Sequence, residues 1–256
     1  MKATSLFESP SVVSVTTENA DYPKENVLTI DLTTLSWRTT SIAAQGEMVL
    51  DFGSILTQPL DIILWNVNVN TMVIKAHPTN SFGTPDFDSG SLTSIFDMDL
   101  NIYKQRVTIV NDFRFIKIEI PVQTPIDSAD NFFEIASVFI PKTEQSFNLN
   151  KEQFEFSLPA DVELPEAIVE ANTRIEQVSI GDMPKIHWTF GGRFANDLTT
   201  RTKLMNVFGR LGQPLVYFRL ETANTWEFYI GKRRTTISQE WINPSLRRVS
   251  INIISL

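Results

Sequence analysis

The chain has 256 residues, no cysteine and a net charge of −8, with 42% hydrophobic and 20% charged residues. This composition is typical of a folded globular protein and unlike that of a disordered chain. The absence of cysteine excludes disulfides and thiolate metal sites. No run approaches about eighteen consecutive apolar residues, and the N-terminus shows no apolar leader, so we expect synthesis in the cytoplasm and no membrane insertion.

The charge is distributed unevenly along the chain. Residues 1–141 contain 8 Lys/Arg against 17 Asp/Glu, whereas residues 191–256 contain 10 against 4. The acidic first half argues against binding to a phosphate backbone, because like charges repel. The basic C-terminal segment is either a solvated or subunit-contact surface or a nucleic-acid face. Its Arg residues are spread along predicted strands, so we expect no nucleic-acid specificity.

Short apolar or alternating runs recur between residues 47 and 140, separated by turn residues such as Asn70, Pro78 and Asp112. In 113–120, apolar and polar residues alternate, which is typical of a half-buried strand. Many short strands with turn signals between them favour a sandwich or jelly roll. We therefore predict a first β domain over residues 1–141, and a linker at 141–146.

The second half predicts a β domain over residues 142–256 that contains one helix. Apolar residues at helical spacing and the stop signals Gly212 and Pro214 place that helix at roughly 197–211. The predicted strands around it are 154–158, 174–180, 185–190, 215–220, 226–230, 235–240 and 249–254. The fold class is therefore mainly β, with a sandwich or barrel domain and a packed helix in the second half.

Little in the sequence points to catalysis or to a metal centre. The two histidines, His77 and His187, are far apart, and neither has a neighbour at metal-ligand spacing. His187 lies in a strand pattern and suits a structural role, while His77 lies next to a long polar loop, where it can also contact a ligand. A Gly-x-Ser-x-Gly elbow, a His-Glu-x-x-His helix and a P-loop are absent, so we predict a protein that is not an enzyme. A glycosidase with two unassigned carboxylates stays an alternative, because Asp and Glu are plentiful.

The polar stretch 76–92 contains two aromatic residues and a short acidic motif. Phe82 and Phe87 are either lids over the core or platforms on which a sugar ring stacks, while nearby polar side chains bind its hydroxyls. The motif Asp86–Gly90 resembles the start of a calcium loop but has no Glu at the twelfth position. It is either a solvated loop or a weak cation site.

Five motifs in order resemble the discoidin (coagulation factor 5/8 type C) module, a galactose-binding-like jelly roll. They are Asn26-Val27-Leu28, Asp31 before Trp37-Arg38, Asp51-Phe52-Gly53, the strand 113–118 and the strand 133–138. The resemblance covers about residues 10–140. It implies glycan binding, and we take Arg38, His77, Phe82 and Phe87 as the candidate contacts. It also implies a structural calcium, for which Asp31 and Glu134 are the positions that carry over.

The second half is similar to tail-tube-like domains of long-tailed bacteriophages, above all the distal tail protein of the baseplate. The similarity rests on Gly192-Arg193-Phe194, on 208–214 at the end of the helix, on the runs 215–218 and 229–231, and on the terminal run 249–256. It implies a ring, often hexameric, that joins sheets between subunits. The terminal run suits this use if it is an exposed edge strand.

Two functional hypotheses follow. The first is a structural protein of the virion tail tip, a homo-oligomeric ring that contacts the tail tube and tail hub and that carries a jelly roll able to bind host glycan. The second is a free-standing lectin-like protein without ring assembly.

Overall fold

A computed structural model describes residues 2–4, 7–28, 35–57, 59–97, 101–142, 145–146, 154–163, 166–171, 174–179, 185–195, 198–208, 216–222, 225–233, 238–243 and 246–255. The chain divides into two compact units. We call Phe7–Lys142 the sandwich unit, and Met1–Leu6 with Thr143–Leu256 the discontinuous unit. The N-terminal residues, predicted to belong to the first domain, thus group with the C-terminal half.

The described elements confirm a mainly β fold. In chain order the strands are β1 (Lys2–Thr4), β2 (Ser11–Val15), β3 (Trp37–Arg38), β4 (Gly46–Leu56), β5 (Leu60–Val67), β6 (Thr71–His77), β7 (Phe87–Thr93), β8 (Ile95–Asp97), β9 (Ile102–Ile109), β10 (Phe113–Ile120), β11 (Glu134–Phe139), β12 (Gln145–Ser146), β13 (Phe154–Glu163), β14 (Glu166–Ala171), β15 (Arg174–Ser179), β16 (Lys185–Ala195), β17 (Val216–Thr222), β18 (Thr225–Arg233), β19 (Ser238–Asn243) and β20 (Leu246–Ser255). A 3-10 helix spans Lys24–Leu28, and helix α1 spans Leu198–Phe208.

The sandwich unit consists of two five-stranded antiparallel sheets. The first has the order β2-β4-β10-β6-β7, and the second has the order β3-β11-β5-β9-β8. In β10 the side chains of Ile116, Ile118 and Ile120 are buried in the core between the sheets, as the alternating sequence predicts. The core also contains Trp37, which is fully buried at the start of the second sheet. Burial of these side chains is the main stabilising term of the unit.

The second sheet of the sandwich unit is buried on both faces at β5. Ile62 and Leu64 belong to the core between the sheets. Ile63 and Trp65 alternate with them and therefore point to the opposite face, yet they are 0% and 1% exposed. A strand that is buried on both faces has a continuous apolar sequence, which explains the run 60–65.

The strand directions define two ends of the sandwich unit. His77 at the end of β6 pairs with Phe115 at the start of β10, and Asp51 pairs with Phe115 from the other side. At the opposite end, Arg38 pairs with Glu134 at the start of β11. We call these the His77 end and the Arg38 end. The chain enters and leaves the unit at the His77 end, where Phe7 and Pro141 form a β-bridge next to β11's last residues.

The discontinuous unit contains an eight-stranded antiparallel sheet with the order β12-β1-β17-β18-β20-β16-β13, in which β19 also pairs with β20. Strands β14 and β15 form a separate two-stranded ribbon. Strand β1 pairs with β12 on one side and with β17 on the other. The predicted linker 141–146 therefore ends in a strand, because Gln145 and Ser146 pair with Ala3 and Lys2.

The terminal strand β20 is not an exposed edge, so this expectation was wrong. It pairs with β16 along one side, from Leu246 to Ile254, and with β18 and β19 along the other. Its apolar sequence reflects an interior position in the sheet, with paired strands on both of its sides. Within the described residues 246–255, the exposed edge that motivated self-association is not found.

The described helix α1, Leu198–Phe208, lies within the predicted range 197–211. Val207 and Leu198 are both among the apolar residues whose helical spacing predicts the helix; Val207 is buried, whereas Leu198 is 79% exposed. Leu198 is the first residue of the helix, and we attribute its exposure to this position at the helix end. Of the helices that the structure describes, none has the length and apolar character needed to cross a membrane.

Candidate functional site

The structure separates the predicted glycan contacts into two groups. Arg38 lies at one end of the sandwich unit, and His77, Phe82 and Phe87 lie at or near the other. Strand β6 runs between the two ends and spans about 20 Å at the usual rise of a strand. A single small ligand therefore cannot contact both groups.

Arg38 is positioned by the strand and turn that surround it. Its neighbour Trp37 points into the core, so the Arg38 side chain points outward. Its backbone N–H donates to the carbonyl of Tyr22, and its carbonyl accepts from the N–H of Asn19 at 2.9 Å. These bonds hold the 19–22 turn against β3 and place the Tyr22 ring beside the guanidinium.

Two aromatic rings and one carboxylate fix the Arg38 guanidinium. Its central carbon lies 3.8 Å from the ring centroid of Tyr22 and 4.6 Å from that of Phe132. Its Nε donates to Oε1 of Glu134 at 3.0 Å. A cation held against ring faces is attracted by their negative potential. Among the described residues, no other side chain accepts from the Arg38 Nη groups, which leaves those donors to solvent or a ligand.

The Asn68 side chain positions the segment that carries Phe132 and Glu134. Its Nδ2 donates to Asp130 at 3.0 Å and to the carbonyl of Phe132 at 3.1 Å. Its Oδ1 accepts from the N–H of Glu134 at 2.6 Å. Phe133 between them points inward, is fully buried and donates its N–H to the Thr39 hydroxyl. The alternation places Phe132 and Glu134 on the outer side, next to Arg38.

We call Tyr22, Arg38, Asn68, Phe132 and Glu134 the Arg38 cluster. Its members come from four separate segments of the chain and form one hydrogen-bonded and stacked group. The side chains of Arg38 and Glu134 are 26% and 21% exposed, so solvent reaches the ion pair. The cluster is a polar surface with two aromatic rings, guanidinium Nη groups from which no described side chain accepts, and carboxylate oxygens.

At the His77 end, a turn holds the imidazole. His77 Nδ1 lies 3.0 Å from the N–H of Thr79, 2.9 Å from its hydroxyl and 2.8 Å from its carbonyl. Nε2 faces Asp86 Oδ1 at 3.7 Å, which is too long for a hydrogen bond. The row Thr79–His77–Asp86 superficially resembles a catalytic triad. However, His77 Nδ1 contacts the backbone of Thr79 as well as its hydroxyl. We therefore interpret the His77–Thr79 contact as one that stabilises the turn.

The two predicted aromatic platforms differ in burial. Phe87 pairs opposite Ala76 in β7 and packs against the core, so it is a lid over the core. Phe82 is half-buried in the loop between β6 and β7. The ring that faces outward beside His77 is instead that of Phe115, with the Arg114 guanidinium 4.8 Å from its centroid.

Arg114 is already engaged by Asp51. Nε and Nη2 of Arg114 donate to the two carboxylate oxygens at 2.7 and 2.8 Å. The Asp51 carboxylate also accepts from the N–H of Gly53 at 2.7 Å. The hydrogen bond from Arg114 is the main cause that lowers the pKa of Asp51 below its ordinary value. The Asp51-Phe52-Gly53 motif thus has a structural role in the strand, and its carboxylate binds the neighbouring Arg114 guanidinium.

The described residues do not fit the calcium site that the discoidin resemblance implies. The carboxylate of Glu134 is held by the Arg38 guanidinium, and a cation within the usual 2.3–2.6 Å of it would meet a like charge. Among the described residues, no three His, Asp or Glu side chains form a group that could hold a metal ion. The second predicted ligand, Asp31, lies outside the described residues.

Sequence reasoning missed Tyr22, Asn68 and Phe132. They lie in turns and at strand ends, and only their contacts with Arg38 and Glu134 unite them. Phe132 and Phe133 form one apolar pair in sequence, in which nothing but strand alternation tells the outer ring from the buried one. Strand alternation could also have identified Phe115 as an outward-facing ring, because it directly precedes Ile116, the first buried Ile of β10.

No protein-family model and no curated protein matches the chain. Similar solved structures include the family 32 carbohydrate-binding module of C. perfringens NanJ in complex with galactose, with 16% identity, 56% of this chain and 100% of that chain covered, and a TM-score of 0.40. The lectin domain of lectinolysin complexed with Lewis b antigen is 10% identical, with 53% of this chain and 94% of that chain covered and a TM-score of 0.41. Chitosan-binding module 1 of a Paenibacillus sp. IK-5 chitosanase/glucanase is 13% identical, with 52% of this chain and 96% of that chain covered and a TM-score of 0.37. None of these three is a phage tail protein, and likenesses this distant carry no argument about function.

Proposed function

We propose that the sandwich unit is a non-catalytic glycan-binding module whose site is the Arg38 cluster. The observation that carries this proposal is the guanidinium of Arg38, which is fixed by Glu134 and two aromatic rings while no described side chain accepts from its Nη groups. A donor set that is fixed before binding loses little conformational freedom when a ligand arrives.

The position of the cluster supports the same conclusion. It lies at the end of the sandwich unit opposite the point where the chain enters and leaves, at Phe7 and Pro141. The cluster is therefore distant from the two chain segments that connect the sandwich unit to the rest of the protein. The His77 end carries these two segments, and there Phe87 packs on the core while Arg114 is bound by Asp51.

Sugar recognition needs hydroxyl-binding groups beside an apolar surface. In the cluster, the Arg38 Nη groups donate, the Glu134 carboxylate accepts, and the edges of the Tyr22 and Phe132 rings supply apolar area. Hydrogen bonds that involve a charged partner are stronger than neutral ones. A shallow site of this kind binds without chemical change to the ligand.

The test is an array of glycans probed with the full chain and with two variants. Arg38→Ala should abolish binding or weaken it by at least about tenfold, because it removes the donors and the partner of Glu134. His77→Ala is the matched variant at the other end and should leave binding intact. Loss of binding in His77→Ala but not in Arg38→Ala would move the site to the His77 end, and an array with no bound glycan would end the proposal.

We infer a second, assembly function for the discontinuous unit, as a homo-oligomeric ring of a phage tail tip. One observation favours assembly. The ribbon Glu166–Ser179 pairs only with itself among the described strands. An isolated two-stranded ribbon is at best marginally stable in water, so a neighbouring subunit is a natural partner for it. In this function the ring is a hexamer that contacts the tail tube and tail hub of the virion.

Native mass spectrometry tests this second function. The full chain should form a closed ring, and replacement of residues 164–181 by a short Gly/Ser turn should return it to a monomer. A control deletion of the exposed residues 79–81 should leave the ring intact. A full chain that stays monomeric at high concentration would leave the glycan-binding module without a ring, which is the lectin-like alternative.

A further inference from the structure

The sandwich unit has a charge arrangement that bears on which glycans it accepts. Residues 7–142 contain eight Lys/Arg and seventeen Asp/Glu, a net of −9. All eight basic side chains lie within ion-pair distance of a carboxylate. The pairs are Lys24–Glu25, Arg38–Glu134, Lys75–Glu119, Lys104–Asp97, Arg106–Asp61, Arg114–Asp51, Lys117–Glu47 and Lys142–Glu8.

We propose that the Arg38 cluster takes uncharged glycans and rejects acidic ones, and that Glu134 sets this selectivity. The proposal rests on the proposed glycan-binding function and adds the chemical class of the ligand. A sulfate or carboxylate on a sugar needs a cation whose charge is not already compensated. At the cluster the one cation, Arg38, shares its charge with Glu134 at 3.0 Å.

The surroundings of the pair add to the rejection of anions. The Asn68 side chain connects the cluster to Asp130, which brings a second carboxylate to the same segment. An anionic ligand placed on Arg38 would therefore meet the Glu134 carboxylate directly, with the Asp130 carboxylate on the same segment of the chain. Like charges brought together without compensation cost enough to reject a partner.

Uncharged sugars meet no such cost. The Glu134 carboxylate is 21% exposed, so its oxygens can accept from sugar hydroxyls while Arg38 donates to others. The ion pair then acts as a donor and an acceptor in fixed positions, which suits a vicinal pair of hydroxyl groups. Glu134 in this role is a specificity-determining residue.

The native chain provides the first measurement. We would compare neutral galacto- and gluco-oligosaccharides with their singly sulfated forms by titration against the full chain at low ionic strength. The neutral forms should bind at least about tenfold more tightly, with a smaller difference as salt is raised. Equal or tighter binding of the sulfated forms would overturn this inference and keep the glycan-binding function. Binding of neither form would remove both.

Glu134→Gln is the decisive variant. The amide keeps an oxygen that can accept from Arg38 Nε, and it removes the charge that neutralises the guanidinium. The neutral forms lose the carboxylate as an acceptor and should bind more weakly, so the readout is the ratio of the two affinities: the affinity for the sulfated forms should rise on the order of tenfold relative to that for the neutral forms. The melting temperature of the variant shows whether the unit is folded. An unchanged ratio of neutral to sulfated binding in a folded variant would refute the role of Glu134.

Asp51→Asn is the matched control at the His77 end. Like Glu134→Gln at Arg38, it removes the negative charge that compensates the Arg114 guanidinium. The amide keeps an oxygen that can accept from the N–H of Gly53. If the Arg38 cluster is the site, this variant keeps the native selectivity. A gain of sulfated-glycan binding in Asp51→Asn alone would place the selecting cation at Arg114 and overturn the assignment to Glu134.

Discussion

Phe132 and Phe133 are adjacent in sequence and differ in their surroundings. Phe133 is fully buried in the core, and Phe132 lies outside it against Arg38. Phe133→Ala should lower the free energy of unfolding by about 3–5 kcal/mol, because it opens a cavity in the core. Phe132→Ala should cost about 1 kcal/mol or less, the usual value of an exposed cation–π contact, while it weakens glycan binding. Urea unfolding of both variants, followed by fluorescence, gives the comparison.

Glu119 predicts how stability depends on pH. Burial alone would raise its pKa, but hydrogen bonds from Lys75 and Lys117 more than offset this, so the pKa of Glu119 is lowered. A lowered folded-state pKa means that the carboxylate contributes stability above its unfolded pKa of about 4.3, and that this stability is lost as the pH falls through the folded value. Glu119→Gln should therefore destabilise the protein by about 1–2 kcal/mol at neutral pH.

In strong acid the native chain and Glu119→Gln should unfold at the same urea concentration, since both side chains are then neutral. The control is Glu8→Gln, which breaks the pair with Lys142, a side chain that is 52% exposed. That change should have little effect at any pH, because exposed ion pairs contribute little. A difference between Glu119→Gln and the native chain that persists in acid would show that shape, and not charge, causes the effect.

Arg38 also predicts the response to calcium. The guanidinium compensates Glu134, so the unit needs no divalent cation at this carboxylate. The melting temperature should be the same in excess calcium and in excess chelator, whereas Arg38→Ala should lower it in both. A melting temperature that rises and saturates with calcium in the native chain would show a site built from residues such as Asp31, beyond the described part of the chain.

At the scale of elements, strand β4 contains an irregularity on which the Asp51–Arg114 pair depends. Gly53 has a φ of +75°, and the register with β10 shifts between Phe113 and Phe115. Gly53→Ala should cost about 1–2 kcal/mol, because a Cβ disfavours this left-handed conformation. Gly83→Ala is the control: neither glycine has atoms within 4 Å of an added Cβ, and no left-handed φ is recorded for Gly83. Equal effects in thermal unfolding would contradict the argument.

The elements that could be predicted from sequence are those whose pattern has one structural cause. The alternation in β10 and the position of Trp37 in the core follow directly from burial on one face. The terminal strand β20 shows the opposite case, because an apolar strand has the same sequence at an exposed edge and in the interior of a sheet. Only the pairing of distant segments decides between the two.

The candidate site was predictable in part. Arg38 and Glu134 were singled out separately, one as a glycan contact and the other as a metal ligand, and the structure pairs them at 3.0 Å. Their separation of 96 residues in sequence hides the pairing. His77, Phe82 and Phe87 share one stretch of chain, yet Phe87 packs against the core as a lid. Proximity in sequence was a poor guide here, since loops at both ends of a sandwich alternate along the chain.

At the scale of the whole molecule, the sandwich unit is an insertion. The chain leaves the discontinuous unit after β1 and returns at β12, and these two strands pair with each other through Lys2–Ser146 and Ala3–Gln145. Within the sandwich unit, Phe7 and Pro141 form a bridge and their neighbours Glu8 and Ile140 share a backbone hydrogen bond of 2.8 Å. At the boundary of each unit, the segment that enters and the segment that leaves therefore lie side by side and antiparallel.

This arrangement predicts that either unit survives without the other. Replacement of residues 5–144 by a turn of about four residues should convert β1 and β12 into a hairpin, because two- to five-residue loops join antiparallel strands. The shortened chain should unfold cooperatively, and residues 7–142 alone should keep the glycan binding of the full chain. Circular dichroism and calorimetry follow the first outcome, and titration follows the second. If the shortened chain is unfolded while residues 7–142 fold and bind, the insertion is needed to hold β1 in register, and the two units are coupled in folding despite their separate sheets.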